Sequence, residues 1–224
     1  MKYLLDWIKA HKYCLVLLYF LFYLPAFFIL EKVSSPKVTV YCPIDGLIPF
    51  IPAFVFPYFT WHLLIPIILI FFMIKDREAF LRLCFTMFTG MTAALFIYAI
   101  IPNGLNIRVP VTGNSLPEKI CSLLYSIDTP TNVCPSIHVS STVAISFSVQ
   151  NAYSLKKHRA IRIFLHIISI LIIVSTLFIK QHSIYDVIGG FVLTFILWFI
   201  SLRFDFSGAE KIIKKANFTK NISG

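Results

Sequence analysis

"FIKQHSIYDVIGGF", residues 178–191, sets a lysine, a histidine and an aspartate inside a chain that otherwise reads like oil. It lies within an apolar run from Ile161 to Leu202, 42 residues in which no proline or glycine separates two candidate spans. As a single helix that run would be about 63 Å long at ~1.5 Å per residue. The hydrocarbon core of a bilayer is only ~30 Å thick. The chain must therefore double back near the middle, at "IKQHS". That reversal puts His182 and Asp186 in the first turn of the following span, four residues apart and on one helix face. An ionisable group at membrane depth costs about 2.5–3.5 kcal/mol and marks a functional site.

Outward from this stretch the composition agrees with a membrane protein. Of 224 residues 58% are hydrophobic and 13% charged, against ~25% charged in soluble domains. Six spans are expected: Tyr13–Leu30, Tyr58–Ile74, Phe80–Ile100, Ile137–Leu155, Ile161–Ile179 and Ser183–Leu202. No small-residue cleavage site follows the first, so it reads as a retained span and not a signal peptide. The expectation is one all-α integral membrane domain over residues 1–224, with a catalytic core near 101–190.

The net charge of +10 is topological. With the N-terminus inside, fifteen lysines and arginines fall on inner segments, Lys2, Lys75, Lys156, Lys211, Lys214, Lys215 and Lys220 among them, and five on outer ones. That bias is the positive-inside rule, with both termini cytoplasmic. No aromatic-basic stripe accompanies it, so nucleic acid is not an expected partner. Lysine, phenylalanine and isoleucine usage with short loops points to a plasma membrane, the bacterial inner membrane. Cys14 and Cys84 fall in spans as packing residues. Cys42, Cys121 and Cys134 fall outside, where an oxidising compartment permits a disulfide.

Two outer segments are long. "EKVSSPKVTVYCPIDGLIPFIPAFVFP" is apolar but too broken by proline to span, a re-entrant or surface-lying piece in which Asp45 reads as a turn residue. In Pro102–Pro135, Ser115 and Glu118 form a capping-box pattern ahead of Leu116, Ile120, Leu123, Leu124 and Ile127 at helical spacing. Arg108 in the same segment suits phosphate.

The fourth span opens with "CPSIHVSS". Pro135 suits a first helical turn, and free N–H groups there with the Ser136 hydroxyl make an anion site. His138 sits in that turn, at the same outer depth as His182. These groups form a kit for metal-free, cofactor-free phosphoryl transfer. His182 attacks phosphorus while Asp186 holds its other N–H, and His138 serves as acid and then base. Arg108, Lys180 and Ser136 balance the phosphate charge. A zinc site at His138, His182 and Asp186 lacks a fourth ligand.

"CPSIH" with "STLFIKQHSIYD" resembles the type 2 phosphatidic acid phosphatase superfamily, lipid phosphate phosphatases related to vanadium haloperoxidases. Pro135, Ser136 and His138 match its second motif; Ser175, His182 and Asp186 match its third; Arg108 and Pro110 approximate its first. Ile101, Thr176 and Ile137 stand where that family has lysine, arginine and glycine. The resemblance implies a histidine nucleophile at His182, oriented by Asp186, with His138 as acid, acting on a lipid phosphate monoester or pyrophosphate. "HSIYD" is also similar to the branch containing inositol phosphorylceramide and sphingomyelin synthases, which implies head-group transfer as the alternative. A non-catalytic protein that binds anionic lipid is the third reading.

Overall fold

Each apolar run bounded by a charge, a proline or a capping residue folds as a helix in this computed structural model, which describes residues 2–207. Met1 and 208–224, with Lys211, Lys214, Lys215, Lys220 and the C-terminus assigned above to the cytoplasm, lie outside the described residues. The helices are α1 (Lys2–Ala10), α2 (Tyr19–Val33), α3 (Val55–Lys75), α4 (Arg77–Ile100), α5 (Leu116–Ile127), α6 (Ile137–Asn151), α7 (Arg159–Phe178) and α8 (Ile184–Ser201). A tight helical turn over Lys12–Leu18 runs straight into α2, and another over Pro52–Phe54 leads into α3.

Five of these units are long and apolar enough to cross a membrane: Lys12–Val33, Pro52–Lys75, Arg77–Ile100, Arg159–Phe178 and Ile184–Ser201. The chain is thus an all-α protein of the membrane-embedded kind. The reversal between α7 and α8 falls within Ile179–Ser183, where the length argument requires it. The expected fourth span, Ile137–Leu155, is different. Its α-helix stops at Asn151 after 15 residues, about 22 Å at ~1.5 Å per residue, and a separate turn covers Tyr153–Leu155.

The reason lies in where α6 sits. It packs against α3, α4, α7 and α8 at the centre of the bundle, so protein and not lipid surrounds it. Ser140, Ser141, Thr142 and Ala144 are all buried on it, and small side chains let neighbouring backbones approach. The Trp61 indole N–H from α3 donates to Ser141 Oγ at 2.8 Å. The Thr194 hydroxyl from α8 lies 2.9 Å from both the carbonyl and the hydroxyl of Ser140. Around this polar spine lies the apolar core, with Phe72, Phe80, Leu83, Met87 and Tyr98 against Ile145, Val149 and Ile172.

The two long connecting segments meet at the end of the bundle where α6 and α8 begin. Strand β1 (Val38–Val40) pairs in parallel with β2 (Asn103–Leu105), a small exception to the all-helical expectation. The Glu31 carboxylate accepts from the Thr129 N–H and hydroxyl at 3.0 and 2.9 Å. Asn103 is buried, donating to the Cys134 carbonyl at 2.9 Å and accepting from the N–H groups of Val133 and Cys134. The approach to α6, through a cis Cys134–Pro135 bond, is thereby fixed. The capping box of Ser115 and Glu118 starts α5, as expected. All five cysteines are free thiols.

Between α6 and α8 the backbones themselves come close. A Cβ on Gly190 would sit 2.6 Å from the Ser136 carbonyl oxygen and 3.2 Å from the Ser140 nitrogen. Backbone atoms cannot move aside cheaply, so Gly190→Ala must push the helices apart. Overpacking of this kind costs about 1–3 kcal/mol. The expected result is a lowered unfolding midpoint in detergent, whereas Ala at the neighbouring Gly189, whose nearest contacts are 3.4–3.5 Å, is tolerated better.

Candidate active site

Two helix starts meet here. The Ser136 N–H donates to the Asp186 carbonyl at 3.0 Å, joining the first turns of α6 and α8. Ser183 caps α8, and Asp186 reaches back to accept from the Ser183 N–H at 2.8 Å. The same oxygen, Oδ2, lies 3.3 Å from His182 Nδ1. His182 is therefore one residue before the cap, not inside the helix, and it meets Asp186 through the capping box instead of through a shared helical face.

His138 is the second residue of α6 and faces His182 directly, with His182 Nε2 to His138 Nδ1 at 3.4 Å. Asp186 Oδ2 already accepts from the Ser183 N–H, so His182 Nδ1–H donates to that acceptor oxygen and its Nε2 offers a lone pair. His138 Nδ1–H then donates to that lone pair. The chain Asp186–His182–His138 is a carboxylate, an oriented imidazole and a proton-bearing imidazole in series. The His138 ring is held by aromatic faces from α3, Trp61 at 4.3 Å and Tyr58 at 4.6 Å between centroids, with His62 at 6.5 Å.

Arg108 is brought beside this chain. Its Nη2 donates to the Gln181 side-chain carbonyl and its Nη1 to the Asp128 backbone carbonyl, the latter at 2.7 Å. Its guanidinium also lies over the Tyr125 ring, 4.7 Å from the centroid. Two donors stay unused: Arg108 Nε and Gln181 Nε2 are buried without a hydrogen-bond partner. Orphaned buried donors cost about 1–3 kcal/mol each, so this corner is built for acceptors the protein alone does not supply.

Two expected phosphate ligands have their side chains engaged within the protein. Lys180 is buried, and its Nζ donates to the carbonyls of Asp45 at 2.7 Å and Ile48 at 2.5 Å. Its backbone takes a positive φ of 55°, which for a non-glycine residue costs on the order of 1–3 kcal/mol and persists only when surroundings enforce it. Burial pulls the Lys180 ammonium below its ordinary range, partly countered by Asp45. Ser136 is fully buried, and its hydroxyl accepts from Val139 N–H at 3.3 Å as the α6 cap. The anion site expected at that helix start is in part self-capped.

Asp45 reads as a turn residue in the sequence and does more than turn the chain. It is 1% exposed and accepts from Cys42 N–H, Ser183 hydroxyl and Ile184 N–H at 2.8, 2.6 and 2.9 Å. Gln181, Tyr58, Trp61 and Asp128 were likewise not read as site residues from sequence. The "ID" in a loop and the aromatic spacing of α3 were visible, but nothing local tied them to residues more than seventy positions away. Among the described residues no group of three or more histidine, cysteine, aspartate or glutamate side chains is arranged to hold a metal.

Compared with models of protein families, with curated proteins and with solved structures, the chain finds no match.

The electrostatics of the rim yield a test. Burial raises the Asp128 carboxyl above its ordinary 3.8, outweighing the attraction of Arg108, and burial likewise lowers the Arg108 guanidinium. A carboxyl whose folded value is raised binds its proton more tightly when folded. Stability from that proton is present at low pH and lost as pH climbs through the folded value. Asp128→Asn, which can still accept from the Tyr58 hydroxyl 3.2 Å away, should raise the thermal midpoint more at pH 7 than at pH 4. An equal shift at both would show the carboxylate to be fully compensated.

Proposed function

We propose that the chain is a membrane-embedded enzyme of phosphoryl transfer, acting at the outer face on a lipid phosphate monoester or pyrophosphate. The observation that carries this reading is the Asp186–His182–His138 series, built from two helix starts that are 44 residues apart in sequence. His182 Nε2 attacks phosphorus, forming a P–N bond as the bond to the lipid oxygen breaks. His138 gives its Nδ1 proton to that leaving oxygen. Water then attacks the phosphohistidine, His138 takes back a proton, and the P–N bond breaks to release phosphate. Asp186 holds the Nδ1–H throughout and stabilises charge on the ring.

The 3.4 Å contact between the imidazoles is the closed form of this site. A reacting group needs about 3 Å on each side, nucleophile to phosphorus and acid to leaving oxygen. Substrate must therefore enter between the rings and turn His138 aside. The unused donors of Arg108 and Gln181 support the reading, since phosphoryl oxygens are the acceptors they lack. Membership of the type 2 phosphatidic acid phosphatase superfamily belongs to the same proposal, as do the orientation read from the charge bias and the bacterial inner membrane read from residue usage.

One observation favours a second acceptor. With Lys180 committed to carbonyls, Arg108 is the cation beside the pair, which suits a singly charged phosphodiester and transfer to a lipid alcohol.

Purified protein in detergent with EDTA should release phosphate from a panel of lipid phosphates. His182→Ala should lose about 10³-fold or more and form no acid-labile phosphoenzyme, with His138→Ala also strongly impaired. Head-group label that moves to an added lipid alcohol and not to water establishes transfer. Activity abolished by EDTA and restored by zinc overturns the metal-free route. No turnover, with anionic lipid binding untouched by His182→Ala, leaves a binding protein.

A further inference from the structure

The turn between α7 and α8 has to hold His182 in place, yet its own five residues, Ile179–Ser183, contain no proline and no glycine. Its internal support runs back to α7: the N–H groups of Ile179 and Lys180 donate to the carbonyls of Ser175 and Leu177 at 3.0 and 3.1 Å, and those of Gln181 and His182 both donate to the Thr176 carbonyl, at 2.9 and 3.1 Å. The rest comes from outside. The Tyr125 hydroxyl on α5 donates to the Ile179 carbonyl at 2.7 Å. The larger share comes from the segment 42–51.

That segment grips the turn at both ends. On one side Ile51 N–H donates to the Phe178 carbonyl at 3.0 Å. In the middle Lys180 Nζ reaches back to the carbonyls of Asp45 and Ile48. On the other side the Asp45 carboxylate takes the Ser183 hydroxyl on Oδ2 and the Ile184 N–H on Oδ1. Cys42 N–H donates to the same carboxylate at 2.8 Å, fixing it from its own side. His182 thus lies between a residue whose side chain is pinned to the segment, Lys180, and one whose hydroxyl is pinned to it, Ser183.

Two carboxylates consequently serve the start of α8. Asp186 accepts from Ser183 N–H and from His182 Nδ1. Asp45 accepts from the Ser183 hydroxyl and from the next N–H, that of Ile184. We infer that Asp45 is a positioning residue for His182: through Ser183 and Ile184 it fixes where the imidazole meets both Asp186 and His138. It touches neither ring and no reacting atom. This inference rests on the phosphoryl-transfer reading for its consequence in catalysis, but not for its geometry.

The difference from a merely structural anchor is directional. Loss of the clamp lets the His182 ring drift from Asp186 Oδ2, which weakens the tautomer preference. Binding of the lipid through Arg108, which is held by the Asp128 carbonyl and the Tyr125 ring and not by the segment 42–51, is left alone. Outer groups that orient a metal-bound histidine are worth about 10–100-fold, and a nucleophilic histidine has the same need of a fixed ring.

The experiment uses the full chain in detergent, with Asp45→Asn, Ser183→Ala and the double variant. Two readouts are taken: kcat and KM on the lipid phosphate turned over by the parent, and the ¹⁵N imidazole signals of His182, assigned by their disappearance in His182→Ala. Asp45→Asn is expected to lower kcat about 10–100-fold with KM within about twofold, and to move the His182 signals toward mixed tautomers. Ser183→Ala should act in the same direction, and the double variant should be no worse than Asp45→Asn. Unmoved His182 signals in Asp45→Asn overturn the inference, even if kcat or the thermal midpoint falls. If the parent turns over no lipid, the functional reading fails while the imidazole signals still decide the role of Asp45. If Asp45→Asn does not fold, Ser183→Ala, which removes a single hydroxyl, decides it by the same signals.

Discussion

A single backbone hydrogen bond, from the Ser136 N–H to the Asp186 carbonyl, locks the start of α6 to the first turn of α8. It forms only because Gly190 carries no side chain and the Ser136 carbonyl can occupy the space beside it. Once the helices are that close, a histidine on the second residue of one and a histidine just before the other have no choice but to meet. The meeting of the rings is thus a by-product of helix packing. A bundle with bulkier residues along α6 would keep the same side chains and lose the contact.

The polar groups at this end are mostly occupied with one another. Lys180 serves two carbonyls, Ser136 caps its own helix, and Asp45 gathers three donors. What is left over around the histidines is small and well defined: the buried donors Arg108 Nε and Gln181 Nε2 and the buried acceptor Asp186 Oδ1. Buried polar groups are normally paired, so the exceptions delimit where a ligand's oxygens belong more sharply than the charged residues do. Counting cations in the sequence overstates the positive charge available, because the fold consumes part of it.

The parts legible in sequence were those encoded within one or two turns of chain. The reversal inside 161–202 followed from length alone, and His182–Asp186 and Ser115–Glu118 from spacing. His138 was legible because a proline and a serine announce a helix start. Three kinds of feature were hidden. Asp45 meets Ser183 across 138 positions and Trp61 meets Ser141 across 80, and no local pattern encodes such pairings. The length of α6 was overread because Tyr153–Leu155 is apolar and continues the run, while the serines that place the helix inside protein look neutral on a hydropathy scale. The carbonyl partners of Lys180 are hidden because a cation beside a histidine suggests a ligand, whereas its contacts to the 42–51 segment depend on that segment being there.

The clamp also sets an order of events in biosynthesis. Asp45 leaves the ribosome long before Ser183 does, and at about 5–20 residues per second the 138 intervening residues take roughly 7–28 s. During that interval the carboxylate lacks its Ser183 and Ile184 donors, and Arg108 and Tyr125 of the second long segment arrive before their partners in the α7–α8 turn. Insertion of α8 closes all of these contacts at once. A chain cut short before α8 therefore carries His138 without Asp186, and the Asp186–His182–His138 series waits for the last helix.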